Sequence, residues 1–112
     1  MTCDEIKAAL KSAQLNAITA QFSLSNVQQQ AATLELAILG VDLYAPSQWT
    51  TQQVQNRIDA LKTEQNADPR LSGWYGQLLQ LLTQIPILQA NLLGAQSMVL
   101  QYQTQMAQQG CQ

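Results

Sequence analysis

Residues 6–41 read IKAALKSAQLNAITAQFSLSNVQQQAATLELAILGV. Apolar side chains fall at Ile6, Leu10, Ala13, Ala17, Ala20, Leu24, Val27, Ala31, Leu34, Ile38 and Val41, alternating steps of four and three without a miss. That spacing is a coiled-coil-like helical seam, because three- and four-residue steps return to the same side of an α-helix. Thr2 followed by Glu5 has the form of a capping box that starts the helix, and Gly40 stands just past its end. The spacing predicts a helix over about residues 3–39, roughly 55 Å long. Its weak point is Ser23-Leu24-Ser25, where two hydroxyl side chains can compete for backbone hydrogen bonds and admit a bend or break.

The C-terminal third repeats the pattern at Leu71, Trp74, Leu78, Leu81, Ile85, Leu88, Leu92, Ala95, Val99, Tyr102 and Met106. Asp68-Pro69 supplies an N-cap and a proline at the first helical position, and Gly110 a stop, so a second long helix is expected over about 69–108. Pro86 removes one backbone hydrogen bond inside it, which predicts a kink or a break into two helices. Ala90 and Gly94, four apart, offer a place for close approach of another helix. Between the two seams, residues 40–49 read as a loop and about 50–66 as a shorter helix with the stripe Val54, Ile58 and Leu61. Arg57, Asp59, Lys62, Glu64, Asp68 and Arg70 concentrate charge there, and the expectation is a solvated tip with weak surface pairs.

The fold expected is all-α, one helical domain over 1–112. It comprises two long antiparallel helices with coiled-coil-like seams plus one shorter helix, as a helical hairpin or bundle that oligomerises. The short helix, at about 24 Å, covers only one end of the long pair. Trp49, Trp74 and Tyr75 are expected to close the bundle around it. At the other end Leu15, Ile18, Phe22, Leu93, Met98 and Leu100 lack core to join, and are the expected oligomer or partner interface.

With 112 residues, one modest core is all the chain can build. Lys+Arg 5 against Asp+Glu 7, net charge −2, leaves no basic footprint for phosphates, so no nucleic-acid partner is expected. His is absent, which removes the commonest general base and every His-containing metal site. There is no phosphate-cradling glycine loop, Cys-x-x-Cys pair or nucleophile elbow, so neither catalysis, cofactor, metal nor small-molecule substrate is expected. Charged residues make up 11%, under half the usual share of about 25%, and glutamine fills the difference. Ser12 to Leu34 carries no charge, and Leu71 to the end carries no ionisable side chain but Tyr75, Tyr102 and Cys111. Neutral glutamine surfaces pack against copies of themselves with less desolvation cost than charged ones. Asp4 and Glu5 stand where a signal peptide needs a basic start, so none is expected. Leu78 to Leu100 is long enough to span a bilayer, but its Gln, Asn, Thr and Ser residues and lack of basic anchors favour an amphipathic helix over a membrane span.

Cys3 and Cys111 lie near opposite chain ends, which an antiparallel pair brings together. They can bridge within the chain, staple neighbouring subunits, or remain reduced thiols; two cysteines have no diagnostic spacing. A bridge would place the protein outside the reducing cytosol, in a virion or an extracellular setting.

Trp74-Tyr75-Gly76 resembles the Trp-x-Gly turn of the small helical hairpins exported by type VII secretion, which lies between two helices in that family. The Asp68-Pro69 turn is similar to the proline-containing turn of type III secretion needle subunits. Each resemblance covers two or three residues and transfers no site. The function expected is a noncatalytic structural or assembly subunit of a larger oligomeric particle that contacts itself and other structural proteins. A small bacteriophage virion protein (connector, cement or fibre component) comes first among such particles. The alternatives are a secreted helical-hairpin or needle-type subunit of a bacterial secretion system, and a cytosolic helical adaptor or chaperone.

Overall fold

A computed structural model describes residues 1–111. Three helices follow in order, α1 (Cys3–Leu39), α2 (Thr51–Leu61) and α3 (Arg70–Gln108), with no strand among the described residues. Each start has a local cause. Thr2 Oγ1 accepts from the Glu5 N–H at 3.2 Å while the Glu5 carboxylate accepts from the Thr2 N–H at 3.5 Å, the reciprocal capping box. Thr50 Oγ1 caps α2 by accepting from the Gln53 N–H at 3.1 Å. The Asp68 carboxylate accepts from the Arg70 N–H at 2.9 Å before α3.

All eleven positions of each heptad-spaced stripe in the sequence are buried or half-buried. α1 runs unbroken through Ser23-Leu24-Ser25, where the Ser25 hydroxyl accepts from the Gln21 side chain at 3.1 Å. α3 is likewise continuous through Pro86, which is exposed, so the break allowed for by the sequence does not occur. α2 differs most: it stops at Leu61, five residues short of its expected end at 66. Lys62, Thr63 and Glu64 donate to the carbonyls three residues back, and the Thr63 hydroxyl donates to Ala60 O, so the chain tightens and turns away.

The chain folds as two compact units. Unit 2, Asn26–Pro86, has a full core: Ala31, Ile38, Val54, Leu61, Leu71, Tyr75 and Leu78 cluster with Trp49 and Trp74 packed against them. The aromatic residues therefore close the core around α2. Trp74 lies within α3 rather than in a turn between helices, so the Trp-x-Gly resemblance has no structural counterpart. Unit 1, Met1–Ser25 with the chain from Ile87 onward, is a pair of helical segments whose buried apolar residues are Ile6, Ala13 and Leu24.

Candidate functional site

The end of α3 is built to deliver one cysteine. Gly110 has φ +69°, the Cys111 N–H donates to Met106 O at 2.9 Å, and the Gly110 N–H donates to Ala107 O at 3.3 Å. These two bonds form a Schellman turn, which needs a left-handed residue that glycine supplies without strain. The turn carries Cys111 back to Cys3, with which it forms a disulfide at a Cα–Cα distance of 5.7 Å. Of the arrangements open from sequence, the cysteines adopt the intrachain one. The bridge fixes the two segments of unit 1 as antiparallel, as does the groove in which Ala9 and Asn16 face Tyr102 and Gly94.

The expected interface residues divide into three sets. Leu15, Ile18 and Phe22 are 64, 54 and 71% exposed, and Leu93 and Leu100 are 65 and 64% exposed. By the 3.6-residue turn, Leu15 and Phe22 lie on the side of α1 opposite its seam and Leu93 and Leu100 on the side of α3 away from its own, while Ile18 borders a groove with Ala17, Gln96 and Val99. Met98, 41% exposed, instead borders the groove with Ala9, Ala13 and Ala95, off the outer face. A Cβ added at Gly94 meets nothing within 4 Å, and Ala90 is exposed. Neither is therefore a point of close helix approach within the chain: Gly94 borders the groove beside α1, but no atom comes near enough to need its missing side chain.

Unit 2 contains the polar cluster that sequence reading missed. Asp42, buried in the loop after α1, accepts from Arg57 Nε and Nη2 at 2.9 and 2.8 Å, from the Tyr75 hydroxyl at 2.6 Å and from the Tyr44 N–H at 3.0 Å. Arg57 Nη1 donates to Glu64 at 2.7 Å, and its guanidinium lies 5.5 Å from the Tyr44 ring centroid. Burial pushes the Asp42 carboxyl up, but the hydrogen bonds from Arg57, Tyr75 and the Tyr44 N–H, with the arginine charge, outweigh it and hold its pKa below the usual carboxylate value. Burial and the neighbouring Asp42 carboxylate push the Tyr75 hydroxyl well above its ordinary value. The cluster ties the loop, α2, the turn at Glu64 and α3 together. Arg57 and Glu64 are therefore not members of a solvated tip, whereas Asp59 with Lys62 and Asp68 with Arg70 are surface pairs. The signal available in the sequence was an isolated Asp42 in an apolar stretch, which demands a partner wherever it is buried.

Among the described residues, no buried side-chain nitrogen or oxygen lacks a hydrogen bond, and no three His, Cys, Asp or Glu side chains come together as metal ligands. A groove of about 550 Å³ in unit 2 is lined by Asn26, Thr33, Leu34, Leu81 and five glutamines, and it is open and neutral. Arg57 borders the cavities beside Tyr44 but its guanidinium is engaged by two carboxylates. α3 contains a stretch long and apolar enough to cross a membrane, with a mean hydropathy of 1.2, and little of it is buried. Comparison with family models, with curated proteins and with solved structures finds no match.

Proposed function

We propose that the chain is a noncatalytic helical subunit of an oligomeric particle outside the reducing cytosol, with a bacteriophage virion component (connector, cement or fibre) as the first candidate. The observation that carries this reading is the imbalance of unit 1. Its buried apolar residues are Ile6, Ala13 and Leu24, while Leu15, Ile18, Phe22, Leu93 and Leu100 are exposed, within stretches 12–25 and 87–111 that contain no Asp, Glu, Lys or Arg. Large apolar side chains left exposed together on a helix face mark interaction sites, and a neutral glutamine surround lowers the desolvation cost of covering them. The heptad spacing makes coiled-coil packing the expected mode of contact. The Cys3–Cys111 bridge supports an oxidising location and counts against the cytosolic adaptor. Light scattering at two protein concentrations, with and without reductant, tests the reading. A defined oligomer is expected. A monomer at both concentrations, in either redox state, sinks it.

A further inference from the structure

Both cysteines of the chain belong to unit 1, so the bridge closes that unit and touches nothing in unit 2. We propose that Cys3–Cys111 is a redox latch: a thiol reductant opens unit 1 while unit 2 stays folded, and a disulfide oxidant closes it again. The latch goes beyond the assembly reading and operates in a lone chain as in a subunit.

Access comes first. Cys3 is the first residue of α1 and Cys111 stands just past the Schellman turn of α3, and both are half-buried, so neither sulfur lies in a core that excludes a small thiol. Breaking the bond frees two chain ends. The buried apolar residues left to hold them together are Ile6, Ala13 and Leu24. Open grooves border the seam on both sides, one of about 310 Å³ with Ala9, Asn16 and Gly94 and one of about 420 Å³ with Ile18, Gln96 and Val99. By the 3.6-residue turn, Asn16 and Ile18 fall on either side of the Ala13–Ala17 row. An alanine seam flanked by open space removes little apolar area from water and makes few dispersion contacts.

Unit 2 has its own supports. The cluster of Ala31, Ile38, Val54, Leu61, Leu71, Tyr75 and Leu78, and the ion pairs of Arg57 with Asp42 and Glu64, all lie within Asn26–Pro86. Reduction removes no contact from either. With unit 2 folded, α1 and α3 are held from Ser25 and Ile87 inward, so in an opened unit 1 the bridge closes a loop of about fifty residues. In the chain-entropy model such a loop favours closure on the order of a thousandfold.

The chemistry is thiol–disulfide exchange. One thiolate of a dithiol attacks a sulfur of the bridge, breaks the S–S bond and expels the other cysteine as thiolate. The second thiolate of the reductant attacks the mixed disulfide, releases the remaining cysteine and leaves as a cyclic disulfide. The protein gains two electrons and two protons, and the dithiol loses both. Closure is the reverse exchange with a disulfide as oxidant, and with two cysteines in the chain it has one intrachain product. A reducing compartment therefore holds unit 1 open, and passage to an oxidising one completes the fold.

The test follows the full chain through a cycle of dithiothreitol and then oxidised glutathione, without denaturant. In reductant, amides within 3–25 and 87–108 are expected to exchange up to about a thousandfold faster. Fluorescence of Trp49 and Trp74, both packed on the unit 2 core, is expected to stay constant. Reoxidation is expected to restore slow exchange with the intact mass of a bridged single chain. The double substitution Cys3→Ser with Cys111→Ser is expected to exchange fast in both buffers. Four results overturn the latch: slow exchange in unit 1 after reduction, fluorescence that changes with it, a bridge that resists dithiothreitol, or disulfide-linked multimers on reoxidation. A reductant effect that persists in the double variant overturns it equally, since the bridge is then not its source.

Discussion

Asp42 and Arg57, fifteen residues apart, form a two-pronged ion pair inside unit 2, with N–O distances of 2.8 and 2.9 Å. Both side chains are almost wholly removed from water, at 3 and 9% exposure. Removing one partner leaves the other's charge buried and unpaired, which costs more than the pair itself contributes. Arg57→Met is therefore expected to destabilise unit 2 by about 3–5 kcal/mol. Both tryptophans, Trp49 and Trp74, pack against the unit 2 core, so urea unfolding followed by tryptophan fluorescence reads this unit. An unshifted midpoint would show that water already reaches the pair.

The same cluster sets a pH dependence. The Asp42 pKa is lowered in the fold, so the unfolded chain binds its proton first as pH falls. Its contribution is present above the ordinary value of 3.8 and is lost as pH drops through the lower folded value. The Tyr75 pKa is raised, so its contribution is complete below the ordinary value of 10.0 and is lost as pH climbs from there towards the folded value. Stability by fluorescence should thus fall at both extremes. Tyr75→Phe should remove the alkaline loss attributable to this residue and cost about 1–2 kcal/mol near neutrality, since the Asp42 oxygen loses a donor. Equal alkaline slopes for the two proteins would assign that loss to other groups.

The helices were legible because each seam position does the same work, and eleven regularly spaced apolar residues leave little freedom of phase. Caps at Thr2 and Asp68 and the stop at Gly110 were legible because they act within four residues of themselves. The ion-pair cluster was not, because Asp42, Arg57, Glu64 and Tyr75 come from four separate stretches whose meeting depends on the path of the loop. Charge spacing within α2 alone suggested solvent. The end of α2 was misjudged for the same reason: Glu64 leaves the helix to reach Arg57, a demand invisible in local propensity. The outer faces were legible as surplus apolar residues, but only the structure separated Met98 from Leu93 and Leu100.

The Cys3–Cys111 bridge closes a loop 108 residues long, so in the chain-entropy model it contributes up to about 4.7 kcal/mol. The double substitution Cys3→Ser with Cys111→Ser should lower stability mainly in unit 1, whose core is sparse. Hydrogen exchange is expected to accelerate at amides in 3–25 and 87–108 while tryptophan fluorescence, confined to unit 2, changes little. Uniform acceleration in both units would instead mean that the chain unfolds as one cooperative body.

Gly94 offers a test of whether α3 is stabilised by its own backbone in unit 1. It is a helix-interior glycine, exposed, with open space where a Cβ would stand. Glycine there has more backbone freedom to lose on folding than alanine and contributes no side chain. Gly94→Ala should therefore raise stability by about 0.5–1 kcal/mol, read as slower hydrogen exchange across 90–98. Unchanged exchange across 90–98 would show that packing in unit 1, not the backbone freedom of residue 94, sets the stability of this stretch.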